Sequence, residues 1–164
     1  MIDNLSILAP LFALPYSKVK IPVTTFMFTV FSVLYSFGQK AANDYLNLGL
    51  SSYYAQDYET AILNYTKAIE LKPDFSSAFY FRAKAKEKLL EYRPAITDYT
   101  EAIKFKPDFG EAYFHRGNLQ EKLNKKTEAC TDWNLASSHG YYEASYVVKQ
   151  KCLPKKPKFD SDDD

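Results

Sequence analysis

Two cysteines, Cys130 and Cys152, carry the most specific chemical signal in this sequence of 164 residues. A predicted turn at Gly140-Tyr141 lies midway between them, with a helical pattern on each side. Because an antiparallel helix pair brings residues equally distant from its turn face to face, the two thiols should be neighbours. Neighbouring thiols form a disulfide in an oxidising compartment and are two small buried thiols in a reducing one. A catalytic thiol is not expected, because Cys130 lies in mid-helix with no histidine nearby in the sequence to serve as its base.

An arginine and an aspartate recur sixteen residues apart in two stretches of the chain. The pairs are Arg82 with Asp98 and Arg116 with Asp132. Where a third pair would fall, Leu48 and Asn64 stand instead, so the cation and the carboxylate are absent together. This joint change indicates an ion pair across two helices, a structural role that depends on both partners when they are buried.

The remaining polar residues form no pattern typical of an enzyme or a cofactor site. His115 and His139 have no second histidine or cysteine at metal-ligand spacing, so no metal ion is expected. We find no glycine-rich phosphate loop, no Ser-His-Asp order and no defensible pair of carboxylates, and the chain has only five glycines. With 21 basic and 20 acidic residues the net charge is +1, which provides no bulk attraction for nucleic acid. We therefore expect a non-enzymatic protein that binds no metal, cofactor or nucleic acid.

The sequence after residue 40 repeats itself with a period of about 34 residues. Alanines, aromatic rings and small residues return at this spacing, in the sets Ala61, Ala95 and Ala129; Ala68, Ala102 and Ala136; Tyr65, Tyr99 and Trp133; Tyr45, Phe79 and Tyr113; and Gly49, Ala83 and Gly117. Within a unit, apolar residues recur at helical spacing on both sides of a turn, which predicts two helices. Small side chains at fixed places let two helix axes approach, and the rings fill the volume beside them.

These positions resemble the tetratricopeptide repeat, whose pattern is an aromatic residue, Leu-Gly, Ala-x-x-x-aromatic and a closing proline. The first unit follows the pattern with Tyr45, Leu48, Gly49, Ala61, Tyr65 and Pro73, and the second with Phe79, Ala83, Ala95, Tyr99 and Pro107. The third unit departs at its end, where Tyr141 replaces the proline. The resemblance implies an all-α fold, a right-handed superhelical solenoid of three helix pairs plus a C-terminal capping helix.

The repeat spacing also sets the expected domain bounds. The repeat domain should span residues 41–152, with repeats at about 42–75, 76–109 and 110–143 and a capping helix at 141–152. Gly140 suits a left-handed helix stop ahead of the cap. Residues 153–164 are rich in lysine, aspartate and proline, and this composition is typical of a disordered tail.

The resemblance implies a binding surface, because the first helix of each pair lines the concave face in this family. The inward residues would be Leu46, Leu50, Tyr53 and Tyr54 in the first repeat, Tyr80 and Lys84 in the second, and Phe114 and Asn118 in the third. We expect this face to bind a protein or peptide that has an apolar anchor and a few charges, so that the chain acts as an adaptor or scaffold. The alternative is a membrane-tethered structural subunit that associates with itself.

One ligand class known in this family is not expected here. The groove that clamps the terminal carboxylate of heat-shock chaperones needs a lysine and an asparagine in the first repeat and basic residues in the third. Leu46, Leu50, Glu111 and His115 do not supply them.

Residues 1–38 differ in character from the repeats. Two lysines precede fifteen uncharged residues at 21–35, and small residues stand before Gln39. These are the features of a secretory signal cleaved before Gln39, and they predict a secreted or periplasmic protein. A retained membrane anchor at residues 21–37 is the competing interpretation, because the nineteen uncharged residues between Lys20 and Lys40 just reach the length of a spanning helix. A further interpretation is that translation starts near Val19, shortly before the uncharged stretch.

Overall fold

Helices make up the regular structure of residues 23–153, the part of the chain that this computed structural model describes. In chain order they are α1 (Val23–Tyr54), α2 (Tyr58–Leu71), α3 (Ser76–Lys88), α4 (Tyr92–Phe105), α5 (Gly110–Lys122), α6 (Lys126–Ser138) and α7 (Tyr142–Lys151). No strand occurs within these described residues, so the predicted all-α helical-repeat fold is confirmed. The expectations for residues 1–22 and 154–164 lie outside the described residues.

The chain divides into two units, Met1–Phe37 and Gly38–Asp164. In the first unit the structure describes the beginning of α1, from Val23 onward. Between residues 23 and 153, no helix is long and apolar enough to cross a membrane. The helix pairs lie in the second unit, from the Gly38 portion of α1 to α7.

The turn between consecutive repeats is built in the same way at both Lys-Pro-Asp-Phe segments. Lys72 donates its backbone N–H to Ala68 at 3.0 Å and Lys106 donates to Ala102 at 3.0 Å, which closes the last turn of α2 and of α4. The next residue in each case is a proline, which has no N–H and restricts the residue before it, so the helix ends there. The repeated sequence therefore ends the two helices at the same place in the repeat.

The turn inside each repeat uses a residue with left-handed backbone. Gln56, Leu90 and Asn124 have φ of 64°, 62° and 62°, and they hold the same position in successive repeats. Non-glycine residues seldom adopt this conformation, and asparagine tolerates it better than leucine. Gly140, in the turn between α6 and α7, takes φ of 83°, the left-handed helix stop that the sequence predicted.

The core of the repeats consists of the recurring alanines and rings. Tyr65 and Tyr99 are fully buried, and Trp133 is 2% exposed. Steric crowding by a neighbouring ring explains why glycine stands at position 49 of the first repeat and at position 117 of the third. A Cβ at Gly49 would lie 2.6 Å from Tyr65 Cδ1, and one at Gly117 would lie 2.8 Å from Trp133 Nε1, so at these two positions a side chain would displace the ring that packs against the glycine.

The capping helix α7 runs Tyr142–Lys151, one residue shorter at each end than the predicted range 141–152. Tyr141 precedes the helix in extended conformation, and Cys152 follows its last turn. Ala144 is fully buried, and the Ser137 and Ser145 hydroxyl oxygens lie 2.6 Å apart. These contacts place α7 against α6.

Candidate protein-binding face

Side chains from α1, α3 and α5 occupy equivalent positions of the three repeats, and we call the surface they form the inner face. Its residues are Leu46, Tyr80 and Phe114; Leu50, Lys84 and Asn118; Tyr53, Glu87 and Glu121; and Tyr54, Lys88 and Lys122. The set contains every groove residue predicted from the sequence. The structure gives these residues different environments.

The first repeat contributes an apolar part of the inner face. Leu46, Leu50 and Tyr53 are half-buried and pack against a small cluster that contains the fully buried Tyr65. The Tyr53 ring centroid lies 5.8 Å from that of Tyr54, which is 78% exposed. This end of the inner face therefore offers aliphatic and aromatic surface to a ligand.

Tyr80 is buried, and the prediction that it lines an open groove is wrong on this point. Only 4% of Tyr80 is exposed, because its ring packs against Phe109 with centroids 4.8 Å apart and against Tyr99 at 5.8 Å. Burial raises the pKa of Tyr80 far above its ordinary value, and Glu111 acts in the same direction. Phe109 lies in the turn that leads into the third repeat, and His115 of that repeat also contacts the Tyr80 ring, with centroids 5.9 Å apart, so the following repeat helps to cover this ring.

Lys84 lies one helical turn beyond Tyr80 and is half-buried. Its ammonium nitrogen is 5.6 Å from the centroid of the Tyr80 ring, a cation-π arrangement. Within residues 23–153, no carboxylate lies within ion-pair distance of Lys84. Lys84 is therefore a half-buried cation of the inner face without a charged partner among the described residues.

The third repeat contributes two side chains to the inner face, the ring of Phe114 and the amide of Asn118, and the amide oxygen already accepts a hydrogen bond. Phe114 is half-buried, and its ring centroid lies 4.8 Å from that of Tyr141. Asn118 accepts a hydrogen bond from the Trp133 indole N–H at 2.9 Å. The Asn118 side-chain oxygen therefore stabilises the repeat core, and the ring of Phe114 is the better candidate for ligand contact.

Glu87 connects the second and third repeats. It accepts a hydrogen bond from the Tyr99 hydroxyl at 3.2 Å, and its carboxylate oxygens lie 3.8 Å from His115 Nδ1 and 3.9 Å from Lys122 Nζ. Burial lowers the pKa of His115, although the nearby Glu87 carboxylate acts in the opposite direction. His115 is thus held neutral at pH 7 beside the stacked ring of Tyr99, with ring centroids 5.9 Å apart.

The structure places each predicted arginine on its predicted aspartate. Arg82 donates from Nε and Nη2 to the two carboxylate oxygens of Asp98, both at 2.8 Å. Arg116 makes the same pair of 2.8 Å bonds with Asp132. Both aspartates are 3% exposed. This two-bond geometry fixes the angle between the two helices of a repeat.

The remaining arginine nitrogen links each repeat to the one before it. Arg82 Nη1 donates to Thr66 Oγ1 at 3.1 Å, and Arg116 Nη1 donates to Thr100 Oγ1 at 3.0 Å. Neither threonine was among the residues predicted from the sequence. Their signal was present, because each lies sixteen residues before its arginine and the two hold the same position in successive repeats.

The structure joins Cys130 to Cys152 in a disulfide, with Cα atoms 5.6 Å apart. The bond connects α6 with the residue that follows α7. A second contact holds the same end of α7, since Lys151 Nζ lies 2.6 Å from a Glu121 carboxylate oxygen on α5. The capping helix is therefore tied to both helices of the third repeat.

The comparisons with known proteins point to one family. Residues 45–75 match the tetratricopeptide repeat family, and no curated protein matches the sequence significantly. The TPR domain of Arabidopsis OM64 is 24% identical, with a TM-score of 0.64 over 69% of this chain and 98% of that one. The first TPR of Spaghetti (RPAP3), bound to the HSP90 peptide SRMEEVD, is 23% identical, with a TM-score of 0.66 over 70% of this chain and 92% of that one. Residues 45–75 therefore match one tetratricopeptide repeat, and the helix pairs share the fold of TPR domains.

A third structure, MamA, is 26% identical, with a TM-score of 0.60 over 65% of this chain and 62% of that one. The structural likeness covers about two thirds of this chain, whereas the family match by sequence covers the first repeat. The inner face is apolar at the first repeat and carries ring and charged groups at the second and third. In residues 23–153, no group of three or more His, Cys, Asp or Glu side chains could hold a metal ion.

Proposed function

We propose that the three tetratricopeptide repeats bind a segment of a partner protein on the inner face, and that the chain acts as a non-catalytic adaptor or scaffold. The observation that carries this proposal is the apolar surface of the first repeat, where Leu46, Leu50 and Tyr53 are half-buried beside the exposed ring of Tyr54. Rings and aliphatic side chains that are held in place at the protein surface are typical anchors for a ligand.

Solved structures of the same fold support the proposal. The first TPR of Spaghetti (RPAP3) is bound to an HSP90 peptide, and the TPR2B domain of yeast Sti1 forms a complex with an Hsp70 peptide. The fold can therefore hold a peptide. The apolar Leu46 and Leu50 of this chain favour a ligand anchored by a hydrophobic side chain rather than by a terminal carboxylate.

A peptide selection with two matched variants tests the proposal. The full chain is used to select from a phage-displayed library of random peptides, and the affinities of the selected peptides are measured by fluorescence anisotropy. Leu50→Asp should weaken binding by about a hundredfold, because it places a charge in an apolar contact. Leu63→Asp is the control, because Leu63 lies on α2 outside the inner face and is 63% exposed, and it should leave the affinity unchanged. Equal affinities for the wild-type chain and Leu50→Asp would show that the inner face is not the binding site.

We also propose that the chain is exported to a secreted or periplasmic location. The signal-like residues before Gln39 and the disulfide between Cys130 and Cys152 support this location, because disulfides persist in oxidising compartments. N-terminal sequencing of the native protein tests it. A mature chain that begins at Gln39 is the expected result, and a full-length chain that stays with the membrane fraction after carbonate washing would contradict it.

A further inference from the structure

The buried ring of each repeat ends in a polar group, and its hydrogen bonding differs among the repeats. The Tyr99 hydroxyl donates to Glu87 at 3.2 Å, and the Trp133 indole N–H donates to Asn118 at 2.9 Å. Tyr65 holds the same position in the first repeat and is fully buried, yet its hydroxyl has no hydrogen-bond partner among the described residues. Buried polar groups are almost always paired, so this hydroxyl calls for an explanation.

The two side chains that accept in the later repeats are replaced in the first. Tyr53 stands one repeat before the glutamate, and Leu50 stands two repeats before the asparagine. Leu50 has no acceptor. Tyr53 packs against the cluster that contains Tyr65, and its ring centroid lies 5.8 Å from that of Tyr54, which is 78% exposed. Ring contacts therefore lead from the cluster around Tyr65 to the protein surface.

Positive charge lies beside this apolar region, on the second repeat. Lys84 and Lys88 are four residues apart on α3 and therefore share one face of the helix. Neither has a carboxylate within ion-pair distance among residues 23–153. Four other lysines among these residues lie within ion-pair distance of a carboxylate: Lys86 of Asp98, Lys104 of Glu101, Lys122 of Glu87, and Lys151 of Glu121. Lys84 and Lys88 thus present positive charge on this part of the inner face, with Glu87 between them in the sequence, and an acidic ligand would complement the two ammonium groups.

We propose that the first two repeats bind an internal segment of a partner protein in which an apolar side chain is flanked by acidic residues. The apolar side chain packs on Leu46 and Leu50 after the rings of Tyr53 and Tyr54 turn aside. A backbone carbonyl of the segment accepts a hydrogen bond from the Tyr65 hydroxyl, and the acidic side chains pair with Lys84 and Lys88. This inference rests on the function proposed above and specifies the ligand of the same site.

Peptides selected on the full chain and confirmed by their sensitivity to Leu50→Asp test the inference. Tyr65→Phe removes one oxygen atom and should weaken these peptides about tenfold, with no loss of thermal stability because no internal hydrogen bond is broken. Tyr99→Phe is the matched control at the same position of the next repeat. The wild-type Tyr99 hydroxyl donates to Glu87 within the fold. Its removal in Tyr99→Phe should therefore lower the melting temperature and leave the peptide affinity unchanged.

A second pair of variants tests the charge. Lys84→Ala should weaken the selected peptides about fivefold and reduce the salt dependence of binding, whereas Lys126→Ala, an exposed lysine on α6, should change neither. The selected sequences should combine an apolar residue with neighbouring aspartate or glutamate.

Several outcomes would overturn the inference and leave the proposed function standing. In one of them the peptides respond to Leu50→Asp but bind Tyr65→Phe and Lys84→Ala as tightly as the wild-type chain. In another, amidation of the peptide C-terminus abolishes binding, which identifies a chain terminus as the ligand. A concentration-dependent dimer that Leu50→Asp converts to monomer would identify a second copy as the occupant. If no selected peptide responds to Leu50→Asp, the proposed function itself fails.

Discussion

Removal of the Asp98 carboxylate tests how the repeats are held together. Asp98 is 3% exposed and binds Arg82 through two 2.8 Å bonds, while Lys86 Nζ lies 2.8 Å from one of its oxygens. Asp98→Ala leaves two cations without their counter-charge. Loss of one partner of a buried pair costs about 3–5 kcal/mol, and the lower end applies here because the two cationic side chains are 16% and 18% exposed. We expect Asp98→Ala to lower the free energy of unfolding by about 3 kcal/mol.

The third repeat provides a matched comparison. Asp132 has the same two bonds from Arg116, but Gln120 stands where Lys86 stands in the second repeat. Asp132→Ala should therefore cost about 1 kcal/mol less, the contribution of one partly exposed ion pair. Because the chain has a single tryptophan, Trp133, which is 2% exposed, urea unfolding can be followed by its fluorescence.

A double-mutant cycle decides whether the buried pair acts as a unit. Arg82→Met combined with Asp98→Ala should cost less than the sum of the two single changes by about 2 kcal/mol, because the double variant leaves no unpaired guanidinium. Two results would contradict a buried pair that acts as a unit: costs of the two single changes that add without coupling, or a cost of less than about 1 kcal/mol for Asp98→Ala alone.

Three further changes have effects that follow from single features of the structure. Cys130→Ser opens the disulfide to Cys152 and should lower the free energy of unfolding by about 3 kcal/mol, measured by urea denaturation against the wild-type chain with and without dithiothreitol. The pKa of His115 is below 6.5 in the folded chain, so the unfolded chain binds the proton more tightly and stability should fall as pH drops through 6.5. Urea midpoints at pH 7.5 and 5.5 should show this loss, and it should be smaller in His115→Gln. Leu90→Asn should raise stability by about 0.5 kcal/mol, because φ of 62° at this exposed turn residue suits asparagine, as at Asn124.

Each of these predictions has a contrary result. Equal stability of Cys130→Ser and the wild-type chain without reductant would mean that the cap needs no covalent link. A pH dependence that is unchanged in His115→Gln would assign the titration to another group. A lower melting temperature for Leu90→Asn, together with no change for Asn124→Leu, would show that the left-handed turn carries no strain.

The helix pairs could be predicted from the sequence because their signal is local and repeated. Alanines and rings that return once in every repeat mark where two helices touch, and prolines mark where a helix ends. The pairing of Arg82 with Asp98 and of Cys130 with Cys152 also followed from spacing, because each pair lies within one helix hairpin. A hairpin fixes which residues face each other once its turn is known.

What the sequence determined by itself is therefore the repeat, its helices and the contacts inside each hairpin. Contacts between repeats were decided by the tertiary structure. Tyr80 was predicted to line the groove, but its ring is covered by Phe109 of the following turn and by His115 of the third repeat. Thr66 accepts a hydrogen bond from an arginine that belongs to the next repeat. Only the structure shows that the Tyr65 hydroxyl has no hydrogen-bond partner among the described residues, whereas the equivalent rings of the later repeats each donate to a side chain. The physical reason is that the burial of an inner-face side chain depends on how far the neighbouring repeat rotates over it, and this rotation results from all the contacts along the stack together.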